Sequence, residues 1–202
     1  MTLFDLFFLI SVLFALVMAV RIAVFAIRGH WQAAGRSSRF LGLFVALYAT
    51  VLISVSLLRP RSFYVPSERR CFDDWCAAAL SVNTAADAPC GPSEGARDWI
   101  ALVEVSSVAR GIRQRASDAH AELEDQQGKR YQPCATTGKS LNDVLGPGES
   151  FRVYLPFRLP RNATPAGMVL HHGDFPGVII IGADQSLFHP PALQRLTVER
   201  QP

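Results

Sequence analysis

The sequence predicts two N-terminal transmembrane α-helices followed by an all-β sandwich domain. Three observations carry that prediction. Residues 1–58 are almost wholly apolar and hold two uncharged stretches long enough to cross a bilayer. Beyond residue 70, apolar and polar residues alternate with period two, with turn residues between the runs. All four cysteines, Cys71, Cys76, Cys90 and Cys134, lie in that second part.

The first helix is expected over residues 3–27. Leu6–Val20 carries no charge, and Arg21 sits close enough to one end to snorkel to the interface. At 1.5 Å rise per residue, ~20 residues span a ~30 Å hydrocarbon core. The leading residues lack a basic side chain and the apolar run is long for a signal peptide, so retention of the segment is expected. The second helix is expected over residues 40–58, bracketed by Arg39 and Arg59. Neither segment has the polar stripe of a soluble surface helix. Gly42 and Ala46 supply a small-xxx-small spacing that permits close helix packing. Residues 28–39 read as the connecting loop, and Arg28, Arg36 and Arg39 point it to the cytoplasm by the positive-inside rule, against which Arg59, Arg61, Arg69 and Arg70 follow the second helix. The cysteines break the tie, since an even number confined to the far part fits disulfides in an oxidising compartment.

Charge divides the same way. Residues 1–58 hold four basic side chains and one acid, and the remainder balances at 16 of each. The domain therefore lacks the basic surplus of a nucleic-acid-binding face, and Arg110, Arg113 and Arg115 read as a solvated cluster.

Residues 59–70 read as a tether and 71–202 as the β domain. Ala77–Val82 is expected to be a strand, and Trp99–Val105 is apolar enough to be a central one. Ala119–Glu124 and Lys129–Gln132 form a hairpin around Asp125-Gln-Gln-Gly128. Gly146-Pro147-Gly148 introduces the clearest strand, in which Phe151, Val153, Leu155, Phe157 and Leu159 alternate with Arg152, Tyr154, Pro156 and Arg158. Pro156 marks it as an edge strand, because proline donates no ladder hydrogen bond. Met168–His171 and Val178–Ile181 read as two further strands. Seven short strands at regular spacing are the pattern of a sandwich.

Three of these segments also carry a resemblance: Trp99-Ile-Ala-Leu-Val-Glu-Val-Ser-Ser, Asp125-Gln-Gln-Gly-Lys-Arg-Tyr131, and the run from Leu145-Gly-Pro-Gly-Glu-Ser to Pro160. Over residues 65–190 the chain resembles the immunoglobulin-like ectodomains of uncharacterised bacterial secreted and lipid-anchored proteins. The resemblance implies an Ig-like sandwich outside a bacterial cytoplasmic membrane, in the periplasm or extracellular space. It implies no catalytic residue. The two-helix anchor replaces the lipid-modified cysteine of that pattern.

No catalytic signature stands in the chain. Gly-x-Ser-x-Gly and HExxH are absent, and Gly138-Lys139-Ser140 lacks the first glycine of a phosphate loop. Four cysteines allow three pairings, of which 71–76 with 90–134 is favoured. A redox pair at Cys71 and Cys76 has the wrong spacing and acidic neighbours in Asp73 and Asp74. His171, His172 and Asp174 are the candidate metal ligands, but adjacent strand residues point to opposite faces, so a site needs His120 or His189 as well. Asp174 with Asp184 is the remaining carboxylate pair, and Asp beside Gly more commonly serves a turn.

The expected function is a membrane-anchored extracytoplasmic binding or interaction module, not an enzyme, with no cofactor. Its expected partners are the membrane and an envelope protein, with no nucleic acid. Two alternatives stand beside it. One is a thiol-redox or metal-handling envelope protein using Cys71, Cys76, His171 and His172. The other is an accessory subunit of a membrane complex.

Overall fold

The computed structural model describes residues 3–72, 74–85, 87, 89–92, 94–116, 118–134, 138–173 and 177–196. The chain divides into two compact units. One comprises residues 1–60 and 174–190, and the other residues 61–173 and 191–202.

In the first unit, α1 (Leu3–Ile27) and α2 (Trp31–Leu58) run side by side. Phe14 meets Phe44 at 4.8 Å between ring centroids, and Phe7 stacks on Tyr48 at 6.2 Å. Both helices are long and apolar enough to cross a membrane. The expected loop over residues 28–39 is corrected to a tight turn at residues 28–30. Gly29 adopts φ +76°, His30 N–H returns to the Phe25 carbonyl, and helix resumes at Trp31. Gln, Ala and Arg sustain the added turns, and no proline interrupts them. A side chain at Gly42 would meet nothing within 4 Å, so this glycine does not serve the α1–α2 contact.

The expected strand at residues 178–181 is also corrected. Gly177–Ile179 is a 3₁₀ turn, and the chain beyond it folds back on itself through Leu187 N–H to the Val178 carbonyl. This segment belongs with the helices, not with a sheet. Its isoleucines read as a buried strand because a short apolar run has no diagnostic period.

The second unit contains two sheets. Strands β2 (Arg70–Phe72), β3 (Trp75–Thr84), β4 (Ala96–Ser107) and β7 (Ser150–Pro160) form one in that order. The other has the order β1 (Phe63–Tyr64), β9 (Leu193–Arg195), β8 (Pro165–His172), β5 (Ala119–Asp125), β6 (Arg130–Tyr131). All pairings are antiparallel except β1 with β9. Residues 63–64 of the expected tether are thus an edge strand.

Period-two alternation fixes which faces meet. Val103, Val105, Val153, Leu155 and Phe157 come from one sheet and Ala121, Leu123, Met168 and Leu170 from the other, all within a single buried cluster. Burying a side chain of this size contributes ~1.5–3 kcal/mol. Asp125 shapes the β5–β6 hairpin, its Oδ1 accepting from Gln127 and Lys129 N–H at 2.9 Å while Gly128 takes φ +81°. Gly167 lets β9 approach, since a Cβ there would fall 2.6 Å from Leu193.

Candidate functional site

The outward face of β4 and β7 carries a cross-strand array of apolar and charged side chains. With residues 99, 101, 103 and 105 turned to the core, residues 98, 100, 102 and 104 face outward. The β4–β7 register sets Asp98 opposite Arg158, Ile100 opposite Pro156, Leu102 opposite Tyr154 and Glu104 opposite Arg152. An apolar strip of Ile100, Leu102, Tyr154 and Pro156 is therefore closed at each end by charge. Tyr154 is 63% exposed.

The two ends differ. At one, Glu104 meets Arg69 at 3.4 Å and Arg152 at 3.6 Å, an open arrangement. At the other, Arg158 Nε donates to Asp98 Oδ1 at 2.8 Å and Nη2 to Oδ2 at 3.1 Å. Cys90 N–H also donates to Asp98 Oδ2, and Arg158 reaches the Gly91 carbonyl. Hydrogen bonding to Arg158 holds the Asp98 carboxyl below its ordinary value, against the opposing effect of burial. The Cys90–Cys134 disulfide fastens this end, and Cys134 N–H donates to the Pro156 carbonyl at 2.9 Å. β7 is the last strand of its sheet, as Pro156 predicts. Beyond the Pro133–Phe157 bridge, residues 150–155 have no second strand neighbour among the described residues.

The five-stranded sheet has a polar outer face. His120 stands directly opposite His171, with rings stacked at 4.4 Å. His171 Nε2 lies 3.5 Å from Glu122, which also meets Arg130 at 3.6 Å and accepts from Gln132. Glu124 follows, held by both terminal nitrogens of Arg61 at 2.5 and 2.7 Å and by Arg130 Nε at 3.3 Å. Burial pushes the Glu124 carboxyl up, but Arg61 and Arg130 more than offset this and its pKa is lowered. Burial and neighbouring His120 lower the pKa of His171, against the pull of Glu122.

His172 points to the opposite face, 5.2 Å from Trp75 and 5.8 Å from Phe72 between centroids. The two adjacent histidines are therefore separated, while His120 joins His171 from another strand. Asp174 lies outside the described residues. Among the described residues, no group of three His, Cys, Asp or Glu side chains is arranged to hold a metal ion. Cys71 and Cys76 are cross-strand neighbours in the β2–β3 hairpin and form a disulfide. Asp184 pairs with Arg59 at 3.6 Å, and the Ser186 hydroxyl shares a hydrogen bond with Ser56. Arg110, Arg113 and Arg115 are exposed.

Asp98, Ile100, Leu102 and Glu104 escape the sequence reading as residues of the outward face. Trp99–Val105 looks apolar throughout, and only its partner β7 shows the alternation that assigns faces. That signal was in the sequence, on the other strand.

No family model matches the chain, and no curated protein matches it. Among solved structures, it is similar to a conserved hypothetical protein from Bacillus anthracis, at 14% identity and TM-score 0.40, over 54% of this chain and 88% of that one. It is also similar to a secreted protein from Mycobacterium tuberculosis, at 12% identity and TM-score 0.43, over 56% and 92% of the two chains. An uncharacterised β-sandwich protein from Clostridium difficile 630 matches at 11% identity and TM-score 0.42, over 69% and 96%.

Proposed function

We propose that this chain is a membrane-anchored binding module of a bacterial cell envelope. In this reading α1 and α2 cross the cytoplasmic membrane, the 28–30 turn faces the cytoplasm, and the β unit is an Ig-like sandwich displayed on the other side. It engages a protein partner through the strip of β4 and β7.

One observation carries the binding role. An apolar centre of Ile100, Leu102, Tyr154 and Pro156 is rimmed by ion pairs at both ends and flanked by an open strand edge. An apolar core within a polar rim, with an aromatic at its centre, is the anatomy of a protein interface. An open edge adds main-chain hydrogen bonding. The anchor rests on helices whose apolar side chains stay exposed, Leu13 and Leu16 by about 60%. The outward orientation rests on Arg28 in the α1–α2 turn, on Arg36 and Arg39 in the N-terminal part of α2, and on two disulfides in the β unit.

A photo-crosslinking amino acid at position 154 of the full-length protein, irradiated in native membranes, tests this reading. The expected result is a discrete protein adduct that Leu102→Ser diminishes and that a probe at the exposed loop residue Ile112 does not form. Adducts absent at 154, or indifferent to Leu102→Ser, would overturn it.

A further inference from the structure

The residues after β8 do not return directly to the sheet. Gly177-Val-Ile-Ile-Ile-Gly-Ala-Asp-Gln-Ser-Leu-Phe188 folds against the helices, and its attachment points run along α2. Arg59 donates to the Gly182 carbonyl and pairs with Asp184. Ser56 bonds Ser186, and His189 Nδ1–H donates to the Ser56 carbonyl at 3.2 Å. Deepest of all, the Tyr48 hydroxyl donates to the Ile179 carbonyl at 2.7 Å. Tyr48 precedes Leu58, the last residue of α2, by ten positions, or ~15 Å of helix, which is half of a ~30 Å hydrocarbon core. Helical side chains tilt toward the N-terminus, so the Tyr48 hydroxyl does not shorten that depth by leaning toward the α2 exit.

We infer that residues 177–188 form a re-entrant element, a third membrane-embedded piece whose partner is the acyl-chain region of the outer leaflet. The inference rests on the reading that α1 and α2 span the bilayer. Non-helical backbone survives at membrane depth only where its polar groups are satisfied. Several of them are met locally here. Ile180 N–H returns to Gly177, Ala183 to Ile180, Ser186 to Ala183 and Leu187 to Val178, while Tyr48 and Arg59 take the Ile179 and Gly182 carbonyls. The one charge in the segment, Asp184, is level with Arg59 at the end of α2, where an interface is expected.

The side chains suit hydrocarbon on the outside. Ile179 and Leu187 are more than one-third exposed and Phe188 is 64% exposed. Ile179 borders an apolar groove of about 290 Å³ with Phe8, Val45 and Ala49, and Ile181 borders a second of about 460 Å³ with Phe4, Phe7 and Val55. Both grooves are lined by α1 and α2 side chains that are themselves about half exposed, among them Phe4, Phe7, Val12 and Val45. The segment therefore borders the exposed apolar side chains of the two helices.

A nitroxide at Ile179→Cys in the full chain, reconstituted in phosphatidylethanolamine–phosphatidylglycerol vesicles, reads the depth through relative accessibility to oxygen and a water-soluble nickel chelate. Leu47→Cys on α2 reports the anchor and Tyr154→Cys reports water. The expected oxygen-to-nickel ratio at 179 matches that at 47 and is many-fold above that at 154. A ratio at 179 equal to that at 154, with 47 still in lipid, overturns the re-entrant element and leaves the anchor standing. A water-like ratio at 47 overturns both. Should Ile179→Cys fail to fold, Leu187→Cys, also more than one-third exposed and bonded through its N–H to the Val178 carbonyl, supplies the measurement.

Discussion

α1 and β7 draw on the same apolar residue types and dispose of them in opposite ways. In β7, Val153, Leu155, Phe157 and Leu159 are at most 1% exposed, because alternate positions turn to a facing sheet. In α1, Leu9, Leu13, Leu16 and Val20 are each more than half exposed, and only Ser11 and Met18 are buried. Hydrophobicity alone does not separate the two regions. Periodicity does: β7 has one apolar face, which its own fold covers, whereas α1 is apolar all round and its fold covers only a stripe. What is left exposed on α1 is the observation behind the proposed membrane anchor.

The largest effect that tests this contrast comes from truncating one apolar side chain in each region. Phe157→Ala opens a cavity in a core with no exposure and is expected to cost ~3–5 kcal/mol. Leu47→Ala on α2, where the side chain is 62% exposed, is expected to change stability by less than ~0.5 kcal/mol. Denaturant unfolding of the full chain in detergent, followed through Trp75 and Trp99, measures both. A large loss from Leu47→Ala would break the contrast, because it would mean that protein, not lipid, covers that face.

A smaller effect separates the regions by covalent chemistry. The β unit is stapled twice and residues 1–70 contain no cysteine. The Cys90–Cys134 bridge closes a sequence separation of 44 and Cys71–Cys76 one of 5. Chain entropy then assigns about 4 kcal/mol to the first and about 2 kcal/mol to the second. Paired Cys→Ser variants, compared by thermal unfolding under non-reducing conditions, are expected to rank in that order. The reverse ranking would show that the β2–β3 hairpin, not the loop clamped beside Asp98 and Arg158, limits the stability of the unit.

Legibility in the sequence followed the same divide. The helices and strands β3, β4, β5, β7 and β8 were readable because each carries a long apolar run or a clear alternation. The residues that were misread lack both signals. Residues 31–39 are polar enough to resemble a loop, yet they continue a helix because nothing there stops one. Residues 178–181 are apolar enough to be a strand, yet a glycine at each end and bonds to Tyr48 and Arg59 make them a folded-back segment. The strip on β4 and β7 was half legible: Tyr154 and Arg158 showed in the alternation of β7, but Leu102 and Asp98 needed the register. The pairing of His120 with His171 depends on a strand register that no local pattern encodes.

That histidine pair yields the smallest effect, and it sharpens the contrast by giving the β unit a pH dependence. His171 is lowered by burial and by His120 across the strand, while Glu122 at 3.5 Å pulls the other way and Arg130 adds to the lowering. A histidine lowered in the folded state binds its proton more weakly there than in the unfolded chain, whose value is near 6.5. The unfolded state therefore holds more protons between the folded value and about 6.5, and stability falls as pH drops through that window. The loss levels off once the folded His171 is also protonated. Replacing His171 with Asn is expected to flatten this part of the profile, measured as the unfolding midpoint of the full chain between about pH 7 and 5. His120→Asn is expected to flatten it less, since it removes only the cross-strand repulsion and leaves the burial of His171 in place. A profile unchanged by His171→Asn would show that stacking leaves the ring as hydrated as in the unfolded chain, and the outer face of the five-stranded sheet would then be wetter than its burial implies.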